Sequence, residues 1–338
     1  GQDQLDSRSS PGAAFADVTN DGQFVLYTSA VSGKTELYRV AITGSGPTKK
    51  INGPVSGVFG GGLSTARYAP DDSYVVYSVV AEAQTTRELF VADPEGQGSV
   101  QQVSVQMADS TGPVYYEISP DSQWIVYRAS QDNASTDELY RVRPDGSQQA
   151  KLNGPLVAGG GIPWNGWAIN STSDHVVSRP GQNQAGVAEL FSVDIATLVV
   201  TQLHRPLLSY EDVDYFVISP DGTRVAYSGA LVSTANEQLW AVDLDGSDEI
   251  QLDGPYVGYI DRNYVFSPDS SRVVYSINPG AGPRKLFVAS ATAGAISERQ
   301  VGPPQANSGV DEFATTADGT TAVYRSDELN PSKIELFS

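Results

Sequence analysis

Four stretches between residues 164 and 312 combine side chains that could bind a ligand. They hold carboxylates, aromatic rings, one amide and one arginine: Trp164, Asn165 and Trp167; Tyr210, Asp212, Asp214 and Tyr215; Tyr259, Asp261 and Arg262; Asp311 and Glu312. Carboxylates beside aromatic rings are typical of sites that bind polar or cationic ligands. These residues therefore predict a ligand-binding site, provided that the fold brings the four stretches together.

Three of these carboxylates also predict a metal site. Asp214, Asp261 and Asp311 recur at similar intervals, and Arg262 can neutralise only one of them. Like charges that gather in a partly desolvated place either raise carboxyl pKa values or recruit a cation. Because the ligands are hard oxygens with no His or Cys nearby, calcium is the expected ion. No other cofactor is expected.

Few residues could serve as a nucleophile and its base. The 338 residues include no Cys and only two His, His175 and His204. Neither His has a second ligand at metal-binding spacing, so both are predicted to be surface residues. A pair of acids such as Asp214 and Asp311, about 5 to 10 Å apart, would be compatible with glycosidic chemistry.

Charge excludes several classes of partner. The chain carries 40 acidic and 21 basic residues, a net charge of −19. This balance argues against nucleic acid and against anionic membrane surfaces. No apolar run approaches the length of a membrane-spanning helix, so no membrane insertion is expected. An acidic chain without cysteine suits an extracytoplasmic bacterial protein, periplasmic or secreted.

Seven copies of one pattern run along the chain. Each copy has a turn of the Ser-Pro-Asp-Gly type, a run that usually ends in Tyr, a Glu-Leu-aromatic run and a second turn. The turn Asp or its equivalent recurs every 48 to 51 residues, at Asp21, Asp71, Asp121, Thr172, Asp221, Asp269 and Asp318. Alternating apolar runs between tight turns indicate antiparallel strands. The pattern predicts an all-β, seven-bladed β-propeller with four-stranded antiparallel blades.

We expect residues 1–338 to form a single domain. The seventh copy ends at its third strand, whereas Gln4-Leu5-Asp6 resembles fourth strands such as Gln251-Leu252-Asp253. The N-terminal strand is therefore predicted to complete the last blade and to close the propeller, which would remove open sheet edges.

The candidate residues lie in the loop that leads into the innermost strand of each blade, called the leading loop below. Seven residues before the turn Asp stand Ala14, Ser64, Val114, Asn165, Asp214, Arg262 and Asp311. Copies 1 to 3 are small or apolar there, whereas copies 4 to 7 are polar or charged. In a propeller these loops converge at the mouth of the central channel, on the face opposite the turns.

The remaining recurring residues have a structural interpretation. The turn aspartates are expected to accept backbone hydrogen bonds, and the recurring tyrosines to pack between blades. Repeat 4 departs from the pattern. Its sequence Asn170-Ser171-Thr172-Ser173 replaces the Ser-Pro-Asp-Gly type of turn, so we expect the turn to be lost. It also has Ser178 in place of Tyr and two tryptophans in its leading loop. We expect residues 159–167 to deviate most from the symmetry of the propeller.

The repeat resembles the WD-like repeat of TolB-type β-propellers. Ile218-Ser219-Pro220-Asp221-Gly222 with Glu237-Gln238-Leu239-Trp240 carries the resemblance best, and weaker copies cover nearly the whole chain. The resemblance implies the fold and says little about function, because the same repeat occurs in TolB, in prolyl-oligopeptidase-like peptidases and in the oligogalacturonate lyase family. The chain has seven repeats where TolB has six, and it lacks a Gly-x-Ser-x-Gly motif.

Since no set of nucleophile, base and orienting group stands out, we expect a non-catalytic, extracytoplasmic binding or scaffold module. It would engage a protein or glycan partner through the leading loops. Two alternatives stay open: a carbohydrate-active lyase or hydrolase that uses the channel-mouth carboxylates, and a structural subunit of a surface assembly.

Overall fold

The computed structural model describes residues 14–31, 34–52, 63–80, 87–105, 115–184, 186–207, 211–233, 236–254, 258–279, 282–292, 299–300, 310–326 and 335–338. The regular elements of this part of the chain are all β-strands. The chain divides into two compact units, Gly1–Asn153 and Gly154–Ser338. The expectation of a single domain over residues 1–338 stays a prediction.

Unit 1 contains three four-stranded antiparallel sheets, one for each of repeats 1 to 3, with the strands in chain order. Sheet 1 is β1 (Ala14–Val18), β2 (Phe24–Val31), β3 (Lys34–Ala41) and β4 (Lys49–Lys50). Sheet 2 is β5 (Leu63–Tyr68), β6 (Val75–Val80), β7 (Arg87–Ala92) and β8 (Gln101–Gln102). Sheet 3 is β9 (Tyr116–Ile118), β10 (Ile125–Ala129), β11 (Glu138–Val142) and β12 (Ala150–Lys151).

Unit 2 contains the sheets of repeats 4 to 7. Sheet 4 is β13 (Trp167–Ile169), β14 (His175–Ser178), β15 (Phe191–Asp194) and β16 (Val200–Gln202). Sheet 5 is β17 (Val213–Ile218), β18 (Arg224–Ser233), β19 (Asn236–Asp243) and β20 (Ile250–Gln251). Sheet 6 is β21 (Tyr259–Ile260), β22 (Val265–Phe266), β23 (Arg272–Asn278), β24 (Lys285–Ser290) and β25 (Arg299–Gln300). Sheet 7 is β26 (Val310–Thr315), β27 (Ala322–Ser326) and β28 (Glu335–Phe337).

Two sheets of unit 2 differ from the expected four strands. In sheet 6 the innermost strand is divided into β21 and β22, which both pair with β23. Sheet 7 has three strands within the described residues. The fourth strand predicted for it, around Leu5, lies outside the described residues, so the predicted closure stays untested.

The turn between the first and second strands confirms the structural interpretation of the recurring aspartates. In sheet 5, Asp221 Oδ1 accepts hydrogen bonds from the backbone N–H of Thr223 at 3.1 Å and from Ser219 Oγ at 2.6 Å. The next residue has a φ between 60° and 77° in all seven sheets: Gly22, Asp72, Ser122, Ser173, Gly222, Ser270 and Gly319. The turn aspartates therefore hold the turn.

The prediction that repeat 4 has lost this turn is wrong. Ser173 has a φ of 66° and donates its backbone N–H to the carbonyl oxygen of Asn170 at 3.1 Å. Asn170 Oδ1 accepts the backbone N–H of His175 at 2.9 Å. An Asn side chain here takes over hydrogen bonds that Ser and Asp make in the other sheets, so the turn persists with a different sequence.

The recurring tyrosines pack as predicted. Tyr275 stacks on Phe287 of its own sheet, with ring centroids 5.7 Å apart. It also belongs to a core cluster with Ala226 of sheet 5, and Tyr227 belongs to one with Val177 of sheet 4. Burial of side chains of this size contributes about 1.5–3 kcal/mol each. These contacts join the neighbouring sheets of unit 2 from which the leading loops extend.

Candidate functional site

The innermost strands carry a β-bulge at the position that the repeat singled out. In sheets 2, 5 and 7 one extra residue lies between consecutive pairs of the ladder, and it is Ser64, Asp214 and Asp311 respectively. In sheet 1 the extra residue is Ala16 instead of Ala14. A bulge re-aims a side chain and is frequent next to functional sites. Asp214 therefore leaves the regular alternation of its strand.

Sheet 6 has a wider interruption at the same place. Ile260 pairs with Ile277, and the next pair is Val265 with Val274. Residues 261–264 therefore lie opposite only residues 275–276. Asp261 and Arg262 are in this interruption, so the sequence-predicted residues of sheets 5 and 6 occupy equivalent irregularities.

A glycine on the neighbouring strand makes the bulge of sheet 5 possible. Gly229 pairs with Val213, and a Cβ atom built on Gly229 would lie 1.9 Å from the carbonyl oxygen of Asp212. Any side chain there would push the start of β17 away. The backbone conformation at Asp212 and Asp214 therefore requires a glycine at position 229, on the neighbouring strand β18.

Arginines connect the leading loops of three sheets. Arg179, which follows β14, donates from its guanidinium to the carbonyl oxygens of Val213, at 2.8 Å, and of Asp214. Arg262 Nη2 donates to Asp214 Oδ1 at 2.9 Å. The Asp261 carboxylate accepts a hydrogen bond from Ser276 Oγ at 2.6 Å and pairs with Arg284 Nε at 3.1 Å. The two carboxylates thus pair with different arginines.

Two further carboxyl groups in this region have raised pKa values. Burial raises the pKa of Glu237, and the adjacent Asp214 carboxylate, with which it hydrogen-bonds, raises it further. Glu237 Oε2 also accepts the backbone N–H of Ile260 at 3.0 Å, which links sheets 5 and 6. Burial also raises the pKa of Asp212, whose Oδ1 accepts the backbone N–H of Ala188 at 2.6 Å.

Sequence reasoning missed Glu237, Arg179 and Arg284. The signal for Arg179 was weak: repeats 1, 2, 5 and 6 have a hydroxyl residue at its position, namely Thr28, Ser78, Ser228 and Ser276, but repeats 3 and 7 also have Arg there, at Arg128 and Arg325. No such signal marks Glu237, because five other repeats have Glu next to its place, in the Glu-Leu-aromatic run.

The predicted aromatic residues divide into exposed and packed ones. Trp164 is 58% exposed and Tyr259 is 51% exposed, and they are the only exposed aromatic side chains of the described residues. Trp167 is buried, at 4% exposure. Tyr215 is half-buried and packs edge-to-face on Tyr264, with centroids 5.4 Å apart. Tyr210 lies outside the described residues.

Solved structures resemble the chain, although no protein-family model and no curated protein matches it. A prolyl endopeptidase aligns with 94% of this chain and 47% of its own, at 16% identity and a TM-score of 0.51. A eukaryotic initiation factor aligns with 87% of this chain and 65% of its own, at 13% identity and a TM-score of 0.54. TolB from Acinetobacter baumannii aligns with 82% of this chain and 65% of its own, at 14% identity and a TM-score of 0.38.

The chain has a β-propeller fold. It spans about half of the length of the prolyl endopeptidase that it matches. At such low identities the similarity shows the fold alone, and one propeller fold serves many functions. Function must therefore be argued from the leading loops of this propeller.

The metal prediction for the propeller stays a prediction. The side chain of Asp311 lies outside the described residues, and Glu312 pairs with Arg325 at 3.0 Å. Within the described ranges no three His, Asp or Glu side chains are grouped so as to hold a metal ion. Calcium at Asp214, Asp261 and Asp311 would have to compete with the arginines that pair with the first two.

The prediction that His204 is a surface residue is wrong. His204 is 6% exposed, and its Nδ1 lies 2.6 Å from the carbonyl oxygen of Arg205. Burial lowers its pKa. It follows the fourth-strand Leu203, where repeats 1, 2, 3 and 5 place Asn52, Ser104, Asn153 and Asp253. Those side chains accept the backbone N–H of a third-strand Leu. The end of the fourth strand packs against the third strand, which explains why His204 is buried.

The other histidine, His175, is half-buried and lies 3.0 Å from Asp174.

Proposed function

We propose that this β-propeller is a non-catalytic binding module that engages a protein or glycan partner through the leading loops of sheets 4, 5 and 6. The observation that carries the proposal is the exposure of Trp164 and Tyr259. Every other described aromatic side chain is buried or half-buried, whereas these two are exposed on leading loops. Exposed aromatic residues beside polar groups are characteristic of recognition surfaces.

Contacts between the loops support one continuous surface. The backbone N–H of Arg179 donates to the carbonyl oxygen of Gly166 at 2.7 Å, two residues after Trp164. The Arg179 side chain contacts the bulge at Asp214, which pairs with Arg262 of sheet 6. We call Trp164, Asn165, Asp214, Tyr259 and Arg262 the leading-loop surface.

A carbohydrate-active enzyme is the second candidate, and the raised pKa of Glu237 is the observation in its favour. Glycosidic chemistry uses two carboxyl groups about 5 to 9.5 Å apart. Asp214, whose charge raises the pKa of Glu237, is itself paired with Arg262 at 2.9 Å and is therefore not a free second carboxyl. The pair of Asp214 with Asp311 includes a side chain outside the described residues, so this candidate ranks below binding.

The extracytoplasmic, bacterial setting is part of the proposal. Its support is compositional: a net charge of −19 and no cysteine in 338 residues. No described segment forms a helix with the length and apolar character needed to cross a bilayer.

The proposal can be tested by capture on a glycan array and from an extracellular protein extract. The Trp164→Ala, Tyr259→Ala double variant should lose the ligand that the wild type captures. Val199→Ala is the matched control, because Val199 is 60% exposed but lies on the hairpin between β15 and β16. Equal capture by the wild type and the double variant would place the binding surface elsewhere.

A further inference from the structure

The region around the leading-loop surface combines both signs of charge. Five carboxyl groups, on Glu211, Asp212, Asp214, Glu237 and Asp261, lie among three guanidinium groups, on Arg179, Arg262 and Arg284. The whole chain has a net charge of −19. A strongly cationic partner would gain more from the acidic remainder of the molecule than from this region.

The exposed polar groups of this surface can both accept and donate hydrogen bonds. The side chain of Asp214 is 25% exposed and that of Arg262 is 62% exposed. Asn165 adds an exposed amide. A carboxylate only accepts, a guanidinium only donates and an amide does both. Hydroxyl groups, which donate and accept, are the ligand groups that match this mixture without adding charge.

Resting on the proposed function, we propose that the partner is a neutral oligosaccharide whose sugar rings stack on Trp164 and Tyr259 while its hydroxyls bond to Asp214 and Arg262. The C–H faces of sugar rings are apolar and complement flat aromatic side chains. Trp164 precedes the first strand of sheet 4 and Tyr259 begins sheet 6, so the two rings belong to different sheets. An oligosaccharide supplies successive sugar rings for the two aromatic side chains.

Trp164 provides a direct signal for this ligand. Of the four Trp residues, Trp124 and Trp167 are buried and Trp240 is half-buried. Sugar stacking should therefore change mainly the emission of Trp164. We would titrate the full chain with cellohexaose, xylohexaose, maltohexaose and chitohexaose, using hexalysine and hexagalacturonate as charged probes, and measure fluorescence and calorimetric heat.

At least one neutral hexasaccharide should bind and shift the Trp emission. Trp164→Ala and Tyr259→Ala should each weaken its binding by about tenfold, the factor that corresponds to the energy of one aromatic contact. Trp164→Phe should restore part of the affinity, Val199→Ala should leave it unchanged, and the matching monosaccharide should bind far more weakly.

Three outcomes would overturn the inference. No neutral hexasaccharide binds; one binds with equal affinity to both alanine variants; or hexalysine or hexagalacturonate binds in a Trp164-dependent way and the neutral sugars do not. The capture experiment tests the proposed function separately from the sugar titration. Capture of a protein that depends on Trp164 and Tyr259 would keep the binding module and reject the sugar, whereas capture independent of both residues would reject the two together.

Discussion

The turns and the region around the leading loops hold carboxyl groups with opposite properties. At the turn end, hydrogen bonds from Ser267 and Ser271 lower the pKa of Asp269 to about 2. At the leading-loop end, burial raises the pKa values of Asp212 and Glu237. The Asp269 carboxylate is stabilised in its charged form by hydrogen bonds from residues of its own turn. Asp212 and Glu237 are held at a cost to ionisation, which is typical of functional sites.

The largest expected effect comes from the glycine that permits the bulge of sheet 5. Gly229→Ala should destabilise the protein by about 3 kcal/mol, because the added Cβ must displace the carbonyl of Asp212. It should also abolish ligand binding at the leading-loop surface. Urea unfolding and hexasaccharide titration measure both effects.

Sheet 3 supplies the reciprocal control, since Ala129 occupies the place of Gly229 in its repeat. Ala129→Gly should cost about 1–2 kcal/mol, from added chain entropy and from the loss of one buried methyl group. If Gly229→Ala were no more harmful than this control, the close approach at Asp212 would not be what shapes the bulge.

At the turn end we expect a smaller loss of stability and no loss of binding. Asp221→Ala removes the hydrogen bonds from Thr223 and Ser219 and should cost about 1–2 kcal/mol. Its hexasaccharide affinity should equal that of the wild type. Weaker binding by Asp221→Ala would show that the two ends of the strands are not functionally separate.

Glu237→Gln should change the pH dependence of stability. The folded-state pKa of Glu237 is raised, so its stabilising contribution is fully present below its unfolded pKa and is lost as pH rises through the folded value. A Gln can still accept from Ile260 and donate to Asp214. The variant should therefore gain stability relative to wild type at pH 7 and show no gain at pH 3. Thermal melting at both pH values checks this; a gain that is the same at both would exclude titration of Glu237.

The smallest effect concerns calcium. If the predicted site at Asp214, Asp261 and Asp311 binds Ca²⁺ weakly, millimolar Ca²⁺ should raise the wild-type melting temperature by a few degrees, through preferential binding to the folded state. The Asp214→Asn, Asp311→Asn double variant should lose this rise. A wild type that is indifferent to Ca²⁺, with a more stable double variant, would indicate charge repulsion without a metal.

The repeated sequence pattern predicted the strands and turns, whereas contacts between side chains of different strands were not predicted. The regular spacing of the turn residues predicted the sheets, and the position seven residues earlier predicted Asp214 as a site residue, where the structure adds a bulge that the sequence did not predict. Arg179 and Glu237 reach Asp214 from other strands, and a single strand pattern carries no information on such partners. His204 was placed on the surface because its chemistry was weighed without the packing of its strand end.

Hydrogen exchange distinguishes ligand binding at the leading-loop end from binding at the turn end. Hydrogen exchange should be compared with and without the neutral hexasaccharide that binds best. We expect slower exchange for peptides that cover residues 159–167, 211–215 and 258–263, and unchanged exchange for residues 170–175, 219–224 and 267–272. Slower exchange at the turns, or none at the three leading loops, would contradict this expectation.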